Sequence, residues 1–159
     1  MRRLHFPPIG QALRLGVAAN GLALVKHRRL FGGAPLALAE QPLDLFAPDA
    51  LAPGLRMLLS DLPVKGWPLS VVLADELVRL WQVPPPPGAT RMGDLEAAAA
   101  LRFQHLFGAP GAEWKISADW DAVDPFLAAA APRALLDALA QAAREHGFNL
   151  VEISQHFVA

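Results

Sequence analysis

The chain has 159 residues, 53% hydrophobic and 18% charged, which is enough apolar material for one domain or two small lobes and excludes intrinsic disorder. It contains no cysteine, so a disulfide framework, a thiolate metal site and a thiol nucleophile are all excluded, and the composition fits a reducing compartment. The formal net charge is only -1, yet residues 1–39 carry six Lys/Arg and no acid while residues 40–159 carry eight Lys/Arg and all fifteen acids.

The opening MRRLHFPPIGQALRLGVAAN has the outline of an export signal, with two arginines ahead of a semi-apolar run and an Ala-rich end. Pro7-Pro8, Gln11 and Arg14 interrupt the run that such a signal keeps apolar, so a cytoplasmic location is expected. No uncharged apolar window is long enough for a membrane-spanning helix. From Gln11, the runs LRLGVA and LALVKHR flank Ala19-Asn20-Gly21 and predict a β-hairpin, with Asn-Gly supplying positive φ angles at the turn. A third strand, PLALAEQPL, follows Gly32-Gly33, and proline at both its ends predicts a sheet edge. Asp49 is the expected cap of a helix reaching about Ser60, with Leu51, Leu55, Leu58 and Leu59 on one side and Pro53 confined to the first turn.

The stretch Leu69–Pro84, LSVVLADELVRLWQVP, predicts the central hairpin of a mixed sheet. Leu69–Ala74 reads as a strand buried on both faces. After Asp75-Glu76, Leu77, Arg79 and Trp81 alternate with Val78, Leu80 and Gln82 as in a half-exposed return strand. The prolines from Pro84 to Pro87, ending at Gly88, read as a stiff connector between two lobes. In GDLEAAAALRFQHLF, Leu95, Ala99, Phe103 and Leu106 recur at helical spacing, and Gly108-Ala109-Pro110 stops the helix. Glu113–Trp120 alternates as a strand that Phe126–Ala130 pairs across an Asp121–Pro125 turn. A last helix, Pro132–His146, sets Leu135, Leu136, Leu139, Ala142 and Ala143 on one stripe, stops at Gly147, and leads into strand NLVEISQHFVA. The expected class is mixed α/β (α+β), organised as a first lobe over 1–88, an inserted α-β-β-α lobe over 89–149 and a final strand over 150–159 that returns to the first lobe.

This order of elements, together with LSVVLADELVRLWQVP, the helix ending LRFQHLFGAP and the segment LLDALAQAAREHGFNLVEIS, resembles the amino-terminal half of actin-like pilus and secretion assembly proteins, the PilM family and the cytoplasmic part of the GspL family. The resemblance implies an actin-like, ribonuclease-H-like sheet of about five strands with a small inserted lobe. It also implies a cytoplasmic scaffold recruited to the inner membrane by short cytoplasmic segments of bitopic partners, some members binding ATP. The chain departs from that pattern where nucleotide chemistry would sit. Actin-like ATPases place an acidic residue in the first strand to help hold hydrated magnesium, and backbone amides of the following turn meet phosphate. Here RLGVAANGLALVK has no carboxylate, and none precedes Glu40. The same lack opposes a ribonuclease-H-like nuclease. No catalytic residue, cofactor or metal is therefore expected.

Asp119, Asp121 and Asp124 form a carboxylate cluster that reads either as a solvated hairpin end or as a divalent-cation site. The second possibility is the alternative function, a metal-dependent phosphohydrolase or nucleotide-binding enzyme. The histidines, His5, His27, His105, His146 and His156, are scattered without ligand spacing, and no G-x-S-x-G elbow, Walker loop or dinucleotide fingerprint occurs. Lys26, His27, Arg28 and Arg29, with Arg2 and Arg3, read as a solvated strand end or as a patch for anionic headgroups. Nucleic acid is not an expected partner, since no basic-aromatic recognition motif occurs.

Trp81 and Trp114 are expected on half-exposed strands near the lobe junction. Val78, Leu80, Trp81, Phe103 and Leu106 are the candidate lining of a peptide-binding groove, set against the commoner role of such residues as ordinary core. The expected function is a non-catalytic scaffold that binds a short peptide of an inner-membrane pilus or secretion assembly protein, with a homodimer compatible.

Overall fold

The computed structural model describes residues 10–28, 33–47, 49–60, 62, 66–109 and 111–155. In chain order the elements are β1 (Gln11–Ala18), β2 (Gly21–Arg28), β3 (Leu36–Pro42), α1 (Leu51–Leu59), β4 (Pro68–Leu73), β5 (Arg79–Val83), α2 (Met92–Phe107), β6 (Trp114–Ala118), β7 (Phe126–Pro132), α3 (Arg133–Glu145) and β8 (Asn149–Gln155). They fall into two units, the first made by the chain up to Leu77 and from Asp137 onward, the second by Val78–Leu136.

The first unit is built on a five-stranded mixed sheet in the order β3-β2-β1-β4-β8. β1 pairs antiparallel with β2 and parallel with β4, β3 lies antiparallel at one edge, and β8 lies parallel at the other. Period-two alternation assigns the faces. Leu15 is opposite Leu24 and Val71, and Val17 is opposite Leu22 and Leu73. All six are at most 3% exposed. Burying side chains of this size contributes about 1.5–3 kcal/mol each.

α1 covers this apolar face. Its Gly54 lies so close to Leu43 that an added Cβ would come 2.6 Å from Leu43 Cδ2, with Leu22 Cδ1 at 3.7 Å. The connections β3→β4 and β4→β8 step the same way along the sheet. The opposite face of the sheet keeps its partial exposure at Gly16, Ala23, Val25 and Val72.

The second unit is an antiparallel sheet in the order β5-β7-β6 with α2 packed against it. Trp81, Val83, Leu95, Ala99, Phe103, Phe126, Ala128 and Ala130 form its core. Phe103 is the centre of an aromatic cluster, its ring 5.2 Å from Trp81, 5.1 Å from Phe107 and 5.5 Å from Trp114. Gly108, at φ 63°, ends α2 in the left-handed conformation that favours glycine.

The mixed five-stranded sheet, the opening hairpin, the edge placement of β3 and the pairing of β6 with β7 agree with the sequence reading. The expected central hairpin does not form. β4 pairs with β1 and β8, and the return strand β5 belongs to the other sheet, where it pairs with β7. A short 3₁₀ turn, Asp75–Leu77, replaces the hairpin turn. β4 is also buried on one face only, with Ser70 and Val72 partly exposed.

The divisions between units fall after Leu77 and after Leu136, not at Gly88 and Asn149. The proline run thus joins β5 to α2 inside the second unit, and the insertion reads β-α-β-β. The hairpin turn is Ala19-Asn20, and neither Asn20 nor Gly21 has positive φ. Gly21 instead starts β2 where a Cβ would sit 3.2 Å from Gln41 O, so close approach is what its lack of a side chain permits. Asp49 does not cap α1. It adopts φ 58°, and the N-cap is Ala50, with no side-chain hydrogen bond.

The aromatic cluster predicts a sharp contrast along α2. Phe103→Ala should cost about 3–5 kcal/mol, whereas Leu106→Ala, at a residue 47% exposed, should stay within about 0.5 kcal/mol. Urea unfolding followed by tryptophan fluorescence checks both.

Candidate functional site

The parallel register of β4 on β1 runs from Leu13–Leu69 to Val17–Leu73, and Ala74 N–H continues it by donating to Val17 O at 2.9 Å. The end of β4 is thereby held beside the β1–β2 turn. The 3₁₀ turn that follows, closed by Leu77 N–H to Ala74 O at 3.0 Å, brings Asp75 and Glu76 to that turn. Glu76 Oε1 accepts a hydrogen bond from Ala19 N–H at 3.1 Å. The turn amide next to Asn20 is thus engaged by a carboxylate of the same chain.

This bond is the main cause that holds the Glu76 carboxyl below its ordinary range, and its own backbone N–H adds to the effect. Both act by favouring the charged acceptor.

Around this turn the sheet face away from α1 forms a concavity of about 810 Å³, a size within the range of ligand sites. Its floor follows the strand register. Ala23, Gly16 and Val72 lie side by side on β2, β1 and β4, with Glu40 of β3 at the end of that row. Gly21 and Ala18 make the neighbouring row. An added Cβ at Gly16 would meet nothing nearer than Ala23 O at 3.7 Å, so the floor is open above the strand. Glu40, Asp75 and Glu76 stand around it against one guanidinium, Arg14. The surroundings therefore carry an excess of negative charge. Among the described residues no group of three or more His, Asp or Glu is arranged to hold a metal ion.

The five residues singled out for a peptide groove do not share one surface. Phe103 and Trp81 are 0% and 5% exposed and pack on each other, and Val78 is also buried. Leu80, 39% exposed, alternates with Trp81 on β5 and therefore points to the other face of the sheet, and Leu106 is exposed on α2. Trp81 Nε1–H is buried and finds no acceptor among the described residues. Trp81 is thus core, not half exposed.

In the aspartate cluster, Asp121 Oδ1 accepts hydrogen bonds from Val123 N–H at 2.7 Å and Asp124 N–H at 3.0 Å, which hold its carboxyl below the ordinary range. This is the geometry of an Asx turn closing the β6–β7 connection. In the basic group, Lys26 Nζ sits 5.3 Å from the Trp67 ring centroid, a cation–π contact that takes it out of a flat charged patch. Arg2, Arg3, Arg29, His5 and His156 lie outside the described residues.

The sequence reading missed Glu40, Asp75 and Glu76 as neighbours of the first turn because it sought acids only within the first strand. The signal available was Asp75-Glu76 directly after a strand able to run parallel beside β1.

No protein-family model and no curated protein matches the sequence. Solved structures do match in fold. The cytoplasmic domain of EpsL, an inner membrane component of the type II secretion system of Vibrio cholerae, aligns with TM-score 0.67 and 14% identity over 91% of this chain and 57% of that one. A PilM–PilN type IV pilus biogenesis complex aligns with TM-score 0.57 and 22% identity, over 94% and 48% of the two chains. A Bacteroides thetaiotaomicron protein with an actin-like ATPase fold aligns with TM-score 0.56 and 11% identity, over 91% and 52%. The chain spans about half the length of these structures. At such identities the likeness is one of fold, and the fold is the actin-like one.

The Ala19–Glu76 bond makes a signed pH prediction. Because hydrogen bonding holds the folded carboxyl below its ordinary value, the bond's stabilisation is fully present above that value and is lost as pH falls through the lower, folded one. The Ala19 amide proton, followed by NMR, should shift with a midpoint below the ordinary glutamate value, and Glu76→Gln should flatten that titration. A midpoint at or above the ordinary value would contradict the assignment.

Proposed function

We propose that the chain is a non-catalytic assembly module that binds a short segment of an inner-membrane pilus or secretion partner from the cytoplasmic side. The observation that carries this reading is the engagement of the Ala19 amide by Glu76. In an actin-like fold, phosphate would approach at the first turn. Here it meets a carboxylate already bonded to the turn, with Asp75 and Glu40 nearby and Gly16 where β1 passes the site. Like charges about 4 Å apart repel by about 1 kcal/mol even at the dielectric of water and by more where solvent is excluded. The fold-level likeness to the cytoplasmic domain of EpsL, an inner membrane component of a type II secretion system, and to a PilM–PilN type IV pilus biogenesis complex supports the remainder of the reading. No helix among the described residues is long and apolar enough to cross a membrane.

The alternative, phosphohydrolysis or nucleotide binding at Asp119, Asp121 and Asp124, gains nothing from the geometry. One Asp121 oxygen is spent on two backbone amides, and the cluster's residues are exposed at a hairpin end.

Two measurements check the proposal. Titration calorimetry with Mg²⁺-ATP should give no saturable heat, and micromolar binding with metal dependence would contradict it. Affinity capture from solubilised inner membranes should retain a bitopic protein through its cytoplasmic segment. Recovery of no membrane protein would count against the scaffold role.

A further inference from the structure

We propose that the open face of the first unit, floored by Gly16, Ala23 and Val72, is the seat of the partner, and that its occupant is an amphipathic helix with an apolar stripe flanked by arginine or lysine. This deepens the assembly reading above and rests on it.

β2, β1 and β4 are interior strands with neighbours on both sides, so their amides and carbonyls are taken up in the ladder. An occupant lying on this face gains no main-chain hydrogen bonds from it and must satisfy its own, which a helix does and an extended strand does not. Gly16, Ala23 and Val72 align in one row across the three strands, and none projects further than a valine. The floor is therefore low enough for large side chains of a helix to descend onto it. It is also open, because a Cβ built on Gly16 touches only Ala23 O, and α1 covers the other face.

Charge selects the kind of helix. Glu40 borders the row on the β3 side and Asp75 with Glu76 borders it at the end of β4, while Arg14 is the single cation of the lining among the described residues. The carboxylates stand on both flanks of the small-residue floor. An apolar stripe with cations on each side complements that arrangement, and an acidic helix is repelled by it. From β3 to β4 is three strand spacings, about 14 Å, which a helix of about ten residues spans.

The test uses the full chain and a synthetic helical peptide with a leucine stripe flanked by lysines, labelled for fluorescence anisotropy, and a twin with glutamate for lysine. The lysine peptide should bind saturably, more weakly at higher salt, and the glutamate twin should not. Gly16→Arg places bulk and positive charge on the floor at a position without positive φ, and should weaken the lysine peptide by at least about tenfold with thermal unfolding unchanged. Glu40→Gln with Asp75→Asn leaves the floor intact and should weaken binding while flattening its salt dependence.

Equal binding of both peptides, or lysine-peptide binding untouched by both variants, would overturn the site. If Gly16→Arg still captures the same bitopic membrane protein as the parent chain, the assembly reading stands and this location for it falls. If neither chain captures one, the assembly reading itself fails. Self-association of the parent chain that Gly16→Arg abolishes would make a second copy, not a partner helix, the occupant and overturn the proposal.

Discussion

The parallel pairing of β4 with β1 is the constraint from which the first unit takes its character. It turns Leu15 and Val17 toward Val71 and Leu73 on one face and leaves Gly16 beside Val72 on the other. It also carries the chain to the β1–β2 turn, where Glu76 meets the Ala19 amide. A one-residue slip would exchange the two faces of β4, bury Ser70 and Val72 and expose the leucines, so the hydrophobic pattern and the placement of Glu76 enforce the same register. The core and the candidate site are two consequences of one set of backbone hydrogen bonds.

That arrangement gives the actin-like frame an unusual electrostatic setting. A first turn suited to phosphate needs free amides and a positive surrounding. Here the amide of Ala19 has an internal acceptor, and the charged side chains among the described residues around it are three acids, Glu40, Asp75 and Glu76, against Arg14. The same setting that disfavours polyphosphate favours a cationic occupant, so the proposals of a non-catalytic role and of a basic helical partner rest on one physical cause. They remain separable, because the second also depends on the open floor at Gly16.

Much of the fold was legible because the relevant signals are local. A hairpin at Ala19-Asn20-Gly21 between two alternating runs, proline at both ends of β3, Gly108 and Gly147 after periodic helices, and the alternation of Trp114, Ile116 and Ala118 all act within a few residues, and each agrees with the structure except for the positive φ expected of Asn20-Gly21. What could not be read was partner choice between strands. LSVVLA and LVRLWQV are neighbours in sequence with a polar pair between them, which is also how a hairpin looks, yet the 3₁₀ turn at Asp75–Leu77 sends them into separate sheets. The site was hidden for the same reason. Apolar spacing marked Trp81 and Phe103, which pack together in the second unit, while the acids that surround the first turn come from β3 and from beyond β4, far away in sequence.

Backbone amide mapping on the isotope-labelled chain tests the central claim most directly, with Mg²⁺-ATP and a lysine-flanked apolar helix added in turn. The account predicts that the helix shifts the amides of Gly16, Ala23 and Val72 and that the nucleotide leaves Ala19 and Gly21 unmoved. Saturable shifts of Ala19 and Gly21 with the nucleotide, and none along that row with the helix, would contradict it.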